Sequence, residues 1–309
     1  MERSKNLLPP EGATEYIMFI GIDHGTTAMR FSSGGDAEFK ISREEARGFS
    51  ADDLARLAPL DEIEGIAVCY SMGDGISAIT GIERVRNRGV ISREGAGKHI
   101  GGGTRVYDAI EESGLPAVVI PGLHRASPTD PRFKAYSHQS SPEKIGILYE
   151  VVHDLGGDDV VVCDASSNTV TLLVTAGRIT GAFDACVFAP GTRHGALDVD
   201  AIRRIDRGGE STANDAFLHA GVNYTVPSDL RTETMAMFAA MECASMLLLN
   251  PPGANVALAG SMAPAIAPRV KKLLSRNVTV YDEWCASRGL ARIACDVFSG
   301  GNRYPRARG

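Results

Sequence analysis

The sequence predicts an α/β protein of two similar halves, each running β-β-β-α-β-α-β, with a ligand cleft between them. Three observations carry this expectation. The chain has 309 residues, 44% of them hydrophobic, enough for two cores. An apolar strand with an acidic tip, a small-residue turn and two further strands occurs twice, beginning at residues 16 and 160. After each meander, short apolar runs alternate with helical stretches, the order expected where a sheet becomes parallel.

In the first half, residues 16–23 form a continuous apolar run suited to a strand covered on both faces, and 28–32 continue after Gly25-Thr26-Thr27. Gly34-Gly35-Asp36 turns the chain into a third strand at 37–41. Ser50 opens a helix over 51–57, and residues 64–70 make a strand ending in Met72-Gly73-Asp74-Gly75. A helix at 104–113 and a strand at 117–120 follow, before Pro121-Gly122. The second half repeats the meander as strands 160–164, 170–175 and 178–183, with Ser166-Ser167-Asn168-Thr169 and Ala176-Gly177 at the turns. Helices at 212–219 and 231–249, a strand at 255–259, a helix at 263–275, a strand at 278–281 and a helix from 287 complete it. The boundary falls between 140 and 158, where 142–155 reads as a crossover helix, so the expected domains are 1–141 and 142–309. The C-terminal helix, about 287–309, is expected to pack back on the first domain, its last residues forming a solvated tail with three arginines.

Thirty-two basic against 38 acidic residues leave a net charge of -6, without the positive field of a nucleic-acid binder. The 34 glycines follow no period and mark turns. Cys69, Cys163, Cys186, Cys243, Cys285 and Cys295 are scattered, lack zinc-ligand spacing and fit a reducing compartment. Glu2, Glu11 and Glu15 precede an apolar run too short for a secretory signal, and no later run offers eighteen uncharged apolar residues. A cytoplasmic protein with no membrane partner is expected.

The chemistry is concentrated at strand tips. In Asp23-His24-Gly25-Thr26-Thr27 the glycine lets a phosphate approach the backbone, the turn N–H groups make an anion nest and the hydroxyls add donors. The aspartate can hold Mg²⁺ through water. Alone, the same composition suits a plain hairpin turn. Asp164-Ala165-Ser166-Ser167-Asn168-Thr169 repeats the order of strand, acid and hydroxyl, and two such loops across a cleft make one nucleotide site. The buried strand 255–259 then runs into Gly260-Ser261 ahead of a helix, where small residues admit a base or ribose.

These turns resemble the phosphate 1, phosphate 2 and adenosine motifs of the superfamily of acetate and sugar kinases, heat-shock ATPases and actin. The resemblance covers nearly the whole chain, with Ser166 and Ser261 where glycines are usual. It implies two actin-like ATPase domains of ribonuclease H-like fold, with ATP or ADP and Mg²⁺ between them. Asp23 and Asp164 would then place the ion through water. Gly25, Thr26, Thr27, Ser166, Ser167, Asn168, Thr169, Gly260 and Ser261 would contact the nucleotide.

Pro190-Gly191-Thr192-Arg193-His194-Gly195, followed by Asp198 and Asp200, resembles the acetate-kinase stretch whose arginine stabilises the transferring phosphoryl group, which assigns that role to Arg193. His138-Gln139-Ser140-Ser141 lies where that family has its His-Gly-Thr-Ser loop, so His138 would touch phosphoryl oxygens and join Arg193 and Asp164 as catalytic residues. Ile120 stands where the catalytic aspartate of acetate kinases belongs, and their Arg-Val-Val-His-Gly-Gly substrate segment has no counterpart here. Acetate is therefore not the expected acceptor. The kinase relatives imply a homodimer.

The whole chain resembles most closely the methanogenesis marker protein 12 family of archaea. The resemblance runs through Tyr70-Ser71-Met72-Gly73-Asp74-Gly75, Gly101-Gly102-Gly103-Thr104-Arg105-Val106-Tyr107, Pro121-Gly122-Leu123-His124 and Ala189-Pro190-Gly191-Thr192-Arg193-His194-Gly195. It implies a place in methanogen metabolism and names no reaction.

Two functions follow as expectations. One is a phosphotransferase or ATPase acting on a small acceptor or water. The other is a nucleotide-gated assembly or activation factor, in which hydrolysis changes the angle between domains and a protein partner reads it. For Arg193 the competing role is a clamp to Asp198 or Asp200 that only fixes its loop. Other signals are weaker. Gly73-x-Gly75-x-x-Ala78 lacks the helix of a dinucleotide fingerprint, and Gly95-Ala96-Gly97-Lys98-His99 has Ser92 and His99 where a P-loop needs glycine and a hydroxyl. Gly101-Gly102-Gly103-Thr104 is either an anion site at a helix start or a flexible cap. Met235, Met237, Met241 and Met246 read as core.

Overall fold

The computed structural model describes residues 19–34, 37–92, 101–208 and 212–300. In the first half β1 (Phe19–His24), β2 (Ala28–Ser32) and β3 (Glu38–Ser42) form an antiparallel meander. The sheet continues with β4 (Gly65–Cys69), β5 (Thr80–Gly81) and, after α1 (Gly102–Ser113), β6 (Ala117–Ile120). Its order is β3-β2-β1-β4-β6-β5, with β4 and β6 parallel to β1. A small hairpin, β7 (Leu123–His124) and β8 (His138–Ser140), leads into α2 (Glu143–Leu155).

The second half begins with the meander β9 (Val160–Ala165), β10 (Thr169–Thr175) and β11 (Arg178–Asp184). After α3 (Val199–Asp206), α4 (Ala213–Leu218), α5 (Val222–Thr225) and α6 (Arg231–Leu247), β12 (Asn255–Ala259) joins parallel to β9. α7 (Ala263–Leu274), β13 (Thr279–Val280) and α8 (Cys285–Phe298) complete the chain's described part, and the sheet order is β11-β10-β9-β12-β13. Both sheets thus share one plan, as the repeated strand pattern requires.

Every residue of β1 and β9 is buried, because each strand lies inside its sheet, between the meander and the first parallel strand, and is covered on both faces. Two helices weld the halves. Leu148 and Val151 of α2 pack with Val160, Val162 and Ala257 of the second sheet, while Leu290, Ile293 and Ala294 of α8 pack with Phe19, Ala67 and Ile120 of the first. Where the helices cross, glycines face each other, and a Cβ on Gly146 or Gly289 would run into the other helix's backbone. Arg292 of α8 reaches Glu150 of α2 at 2.5 Å, and the Tyr149 hydroxyl donates to Asp296. The crossing holds the tips of β1 and β9 near one cavity.

Several elements depart from expectation. The segment after Ser50 is a 3-10 turn, Ala51–Arg56, rather than an α-helix, although Ser50 and Asp53 form its capping box. The last helix starts at Cys285 rather than 287, and α3, β5 and the β7–β8 hairpin were not signalled by periodicity. Met235 and Met246 are core, but Met237 and Met241 are exposed, since α6 buries only one face. Gly73-x-Gly75 is followed by short turns and β5, not a helix. The stretch 95–99 and the tail 302–309 lie outside the described residues. Among the described residues no helix is long and apolar enough to cross a membrane.

Candidate nucleotide cleft

The two acidic strand tips meet in one cavity of about 610 Å³. Asp23 is the penultimate residue of β1; its Oδ2 lies 3.4 Å from Nη1 of Arg30, while its Oδ1 is buried without a partner. Burial pushes the Asp23 carboxyl up to about 6 against the pull of Arg30. Gly25, Thr26 and Thr27 form the turn beside it and line the cavity.

Asp164 is the penultimate residue of β9, which turns through Ser166, Ser167 and Asn168 into β10. Here the floor of the cleft carries a lysine. Lys144, at the start of α2, places Nζ 2.6 Å from Oδ2 of Asp164 and 3.0 Å from Oε1 of Glu143. Burial opposes its charge, but the Asp164 and Glu143 carboxylates outweigh it and hold the ammonium above the ordinary lysine range. The Ser141 hydroxyl donates to Glu143 at 2.6 Å.

The third turn closes on the second. Gly260 has φ +91°, and a Cβ there would overlap Oδ1 of Asp164, so only glycine permits this approach. The Met262 N–H donates to the Ala165 carbonyl at 2.9 Å, fixing Gly260 and Ser261 at the cavity wall.

The Arg193 loop lies on the same turn through backbone bonds. Thr192 N–H donates to the Ser166 carbonyl at 2.9 Å, and Arg193 and His194 donate to that of Ser167 at 3.0 and 2.9 Å. Glu242 of α6 anchors the loop from behind, accepting from Ala189 N–H at 2.8 Å and from the Thr171 hydroxyl at 2.6 Å. Burial pushes Glu242 up to about 8, so it is mostly protonated at neutral pH. Arg193 itself lines the cavity and is exposed. The clamp role is not what the structure gives: Asp198 caps α3 at Ala201 N–H, Asp200 faces Arg203, and neither carboxylate holds Arg193.

His138 sits on β8 with Nε2 3.3 Å from Oδ2 of Asp184, itself held by the Asn168 amide at 3.1 Å. Burial lowers the His138 pKa, but the Asp184 carboxylate outweighs it and the net shift is upward. All the sequence-derived site residues line the cavity except Thr169. That side chain is buried, its hydroxyl donating to the Pro190 carbonyl at 2.9 Å, so it braces the Arg193 loop rather than facing ligand.

Sequence reasoning missed Lys144, Glu143, Asp184 and Arg43, all of which line the cavity. A signal existed for Asp184, a third acid at a strand tip, whereas Glu143-Lys144 opens an apolar helix as a charged pair that reads as solvated. Among the described residues no three His, Cys, Asp or Glu side chains gather as a direct metal cage. The free Oδ1 of Asp23 fits a cation held through water, whereas Asp164 already carries an ammonium.

No family model matches the chain. Among solved structures it is similar to acetate kinase from Entamoeba histolytica, with TM-score 0.51 and 10% identity over 82% of this chain and 85% of that one. It is also similar to ROK hexokinase from Thermus thermophilus, with TM-score 0.50 and 13% identity over 92% of this chain and 99% of that one. The fold is therefore the actin-like ATPase fold. Relatives in methanogens are far closer in sequence. The UPF0285 protein of Methanosarcina mazei is 44% identical over 92% of this chain and 96% of its own length, and that of Methanothermobacter thermautotrophicus 42% over 92% and 96%. At such identity along nearly the whole chain, this protein belongs to the UPF0285 protein family.

Proposed function

We infer that the chain binds ATP or ADP with Mg²⁺ in the cleft and transfers the γ-phosphoryl group to a small acceptor or to water. The observation that carries this reading is the convergence of Asp23, Asp164 and the exposed Arg193 on one cavity, each on a separate small-residue loop. Backbone N–H groups of the two turns would cradle phosphates, and Arg193 would neutralise charge on the group in flight. The chemistry that a bound Mg²⁺ supplies is charge neutralisation on the β- and γ-phosphates, and Asp23 would hold it through water. The same reading takes the protein to be a cytoplasmic homodimer of methanogen metabolism and its family to be methanogenesis marker protein 12.

A second reading, a nucleotide-gated assembly factor, is favoured by Ile120, which is buried beneath α8 and offers no acceptor chemistry to the cavity. Both readings require nucleotide. Calorimetric titration with Mg-ADP is expected to show binding that Asp23→Ala weakens about tenfold or more, the loss of one charge-assisted contact. Absence of heat at millimolar nucleotide, with the protein folded, would sink both.

A further inference from the structure

Arg43, in the turn after β3, is the feature that the nucleotide reading leaves unexplained. Its guanidinium lines the same cavity, yet its polar contacts are the Gly25 carbonyl at 3.4 Å and the Met29 sulfur at 3.6 Å, both through Nη1. No carboxylate among the described residues forms an ion pair with it, whereas Arg30 nearby is held by Asp23 and Glu283. An arginine half-buried without a counter-ion is costly unless an anion arrives to match it.

The surroundings are built for close approach. His24 is buried, its ring stacked on Tyr70 at 5.1 Å, and its Nε2 has no partner. That nitrogen and Nη1 of Arg43 converge on Gly103 in the first turn of α1, where a Cβ would overlap the imidazole and crowd the guanidinium. The Thr104 hydroxyl, bonded to the Tyr70 hydroxyl at 2.9 Å, and Ser71, bonded to His24 Nδ1 at 3.2 Å, border the same corner. Met72 beside them holds φ +66°, a left-handed conformation rare for a non-glycine residue and concentrated at ligand sites. The first-turn amides of α1 add partial positive charge.

We propose that this corner is the acceptor subsite and that the acceptor is a small oxyanion, bearing a carboxylate or phosphate that Arg43 holds together with Thr104 and the start of α1. The proposal rests on the nucleotide reading for the word acceptor, while the oxyanion site stands on its own geometry. Arg193 on the second half then meets the transferred phosphoryl group, and Arg43 on the first half meets the charge that the acceptor brings.

The test is calorimetric titration of the full chain with inorganic phosphate and, separately, with succinate, each without and with a saturating non-hydrolysable ATP analogue. The expected result is that at least one oxyanion binds with the analogue present and that Arg43→Gln weakens it roughly ten- to hundredfold, the value of a charge-assisted arginine contact. The analogue's own affinity is expected to stay within about threefold. Preference between phosphate and succinate identifies which oxyanion the corner takes. Thr104→Val provides a second variant, which removes the cavity-lining hydroxyl and should weaken the same oxyanion while the analogue's affinity stays within about threefold. The proposal is overturned if neither oxyanion binds, if the analogue displaces both, or if Arg43→Gln leaves their affinities unchanged. Failure of the analogue to bind, with Arg43-dependent oxyanion binding intact, would instead remove the nucleotide reading alone.

Discussion

The Lys144 ammonium and the Asp164 carboxylate, 2.6 Å apart and both almost wholly buried, form the floor of the cleft. Glu143 lies on the other side of the same ammonium, so one cation balances two acids, Asp164 buried and Glu143 half-buried at the cleft wall. Lys144→Met is therefore expected to cost about 3–5 kcal/mol at pH 7, because it strands the buried Asp164 carboxylate without a counter-ion and leaves Glu143 unpaired beside it. Lowering the pH should recover part of that loss, because Glu143, which burial pushes up but Lys144 holds below the ordinary glutamate range, takes up a proton more readily once the ammonium is gone. Urea titration of both proteins at pH 5 and pH 8 checks this, and a loss under about 1 kcal/mol at pH 8 would show the pair to be dispensable.

Glu242 gives the fold a pH dependence of opposite character to an ordinary salt bridge. Its carboxyl is pushed up to about 8 in the folded chain and returns to the ordinary range near 4.5 when unfolded. Between those values the native state binds the extra proton, so this residue's contribution to stability is complete below about pH 4.5 and declines as pH rises to 8. Glu242→Gln can accept from Ala189 and donate to the Thr171 oxygen, keeping both contacts. The variant is expected to lose this part of the decline, becoming more stable than the parent at pH 9. Parallel melting curves from pH 5 to 9 would contradict that.

Where the chain met the cleft determined how much of it could be read. Asp23 and Asp164 were legible because a strand buried on both faces is an unbroken apolar run, and an acid closing such a run before hydroxyl residues has few structural uses. Gly260 was legible by the same rule. Lys144 was not, because a crossover helix is recognised by its apolar face and a lysine at its first turn reads as solvated, although here the cleft buries it. Arg43 had no signal at all: only the folding of β3 back along β2 brings it beside Gly25. The β7–β8 hairpin that carries His138 has two and three residues per strand, too few for periodicity to register.

Arg193 offers the sharpest separation of the functional readings. Its loop is fixed by backbone bonds to Ser166 and Ser167 and by Glu242 behind Ala189, none of which uses the guanidinium. Truncating the side chain should therefore leave the loop standing and the melting temperature almost unchanged. An arginine that meets a transferring phosphoryl group acts chiefly in the transition state, where charge is redistributed, and is worth roughly 10³-fold or more in rate. Arg193→Ala is accordingly expected to lower ATP turnover by about that factor while Mg-ADP affinity changes only a few-fold. Acetate and butyrate should not raise turnover in the parent protein, since Ile120 is packed under α8 and supplies no carboxylate to orient them. Measured hydrolysis that survives Arg193→Ala at its parental rate would remove the arginine from the chemistry and favour a sensor that turns nucleotide over by other means. Formation of acetyl phosphate from acetate would overturn the inference drawn from Ile120 and align the chain with the carboxylate kinases.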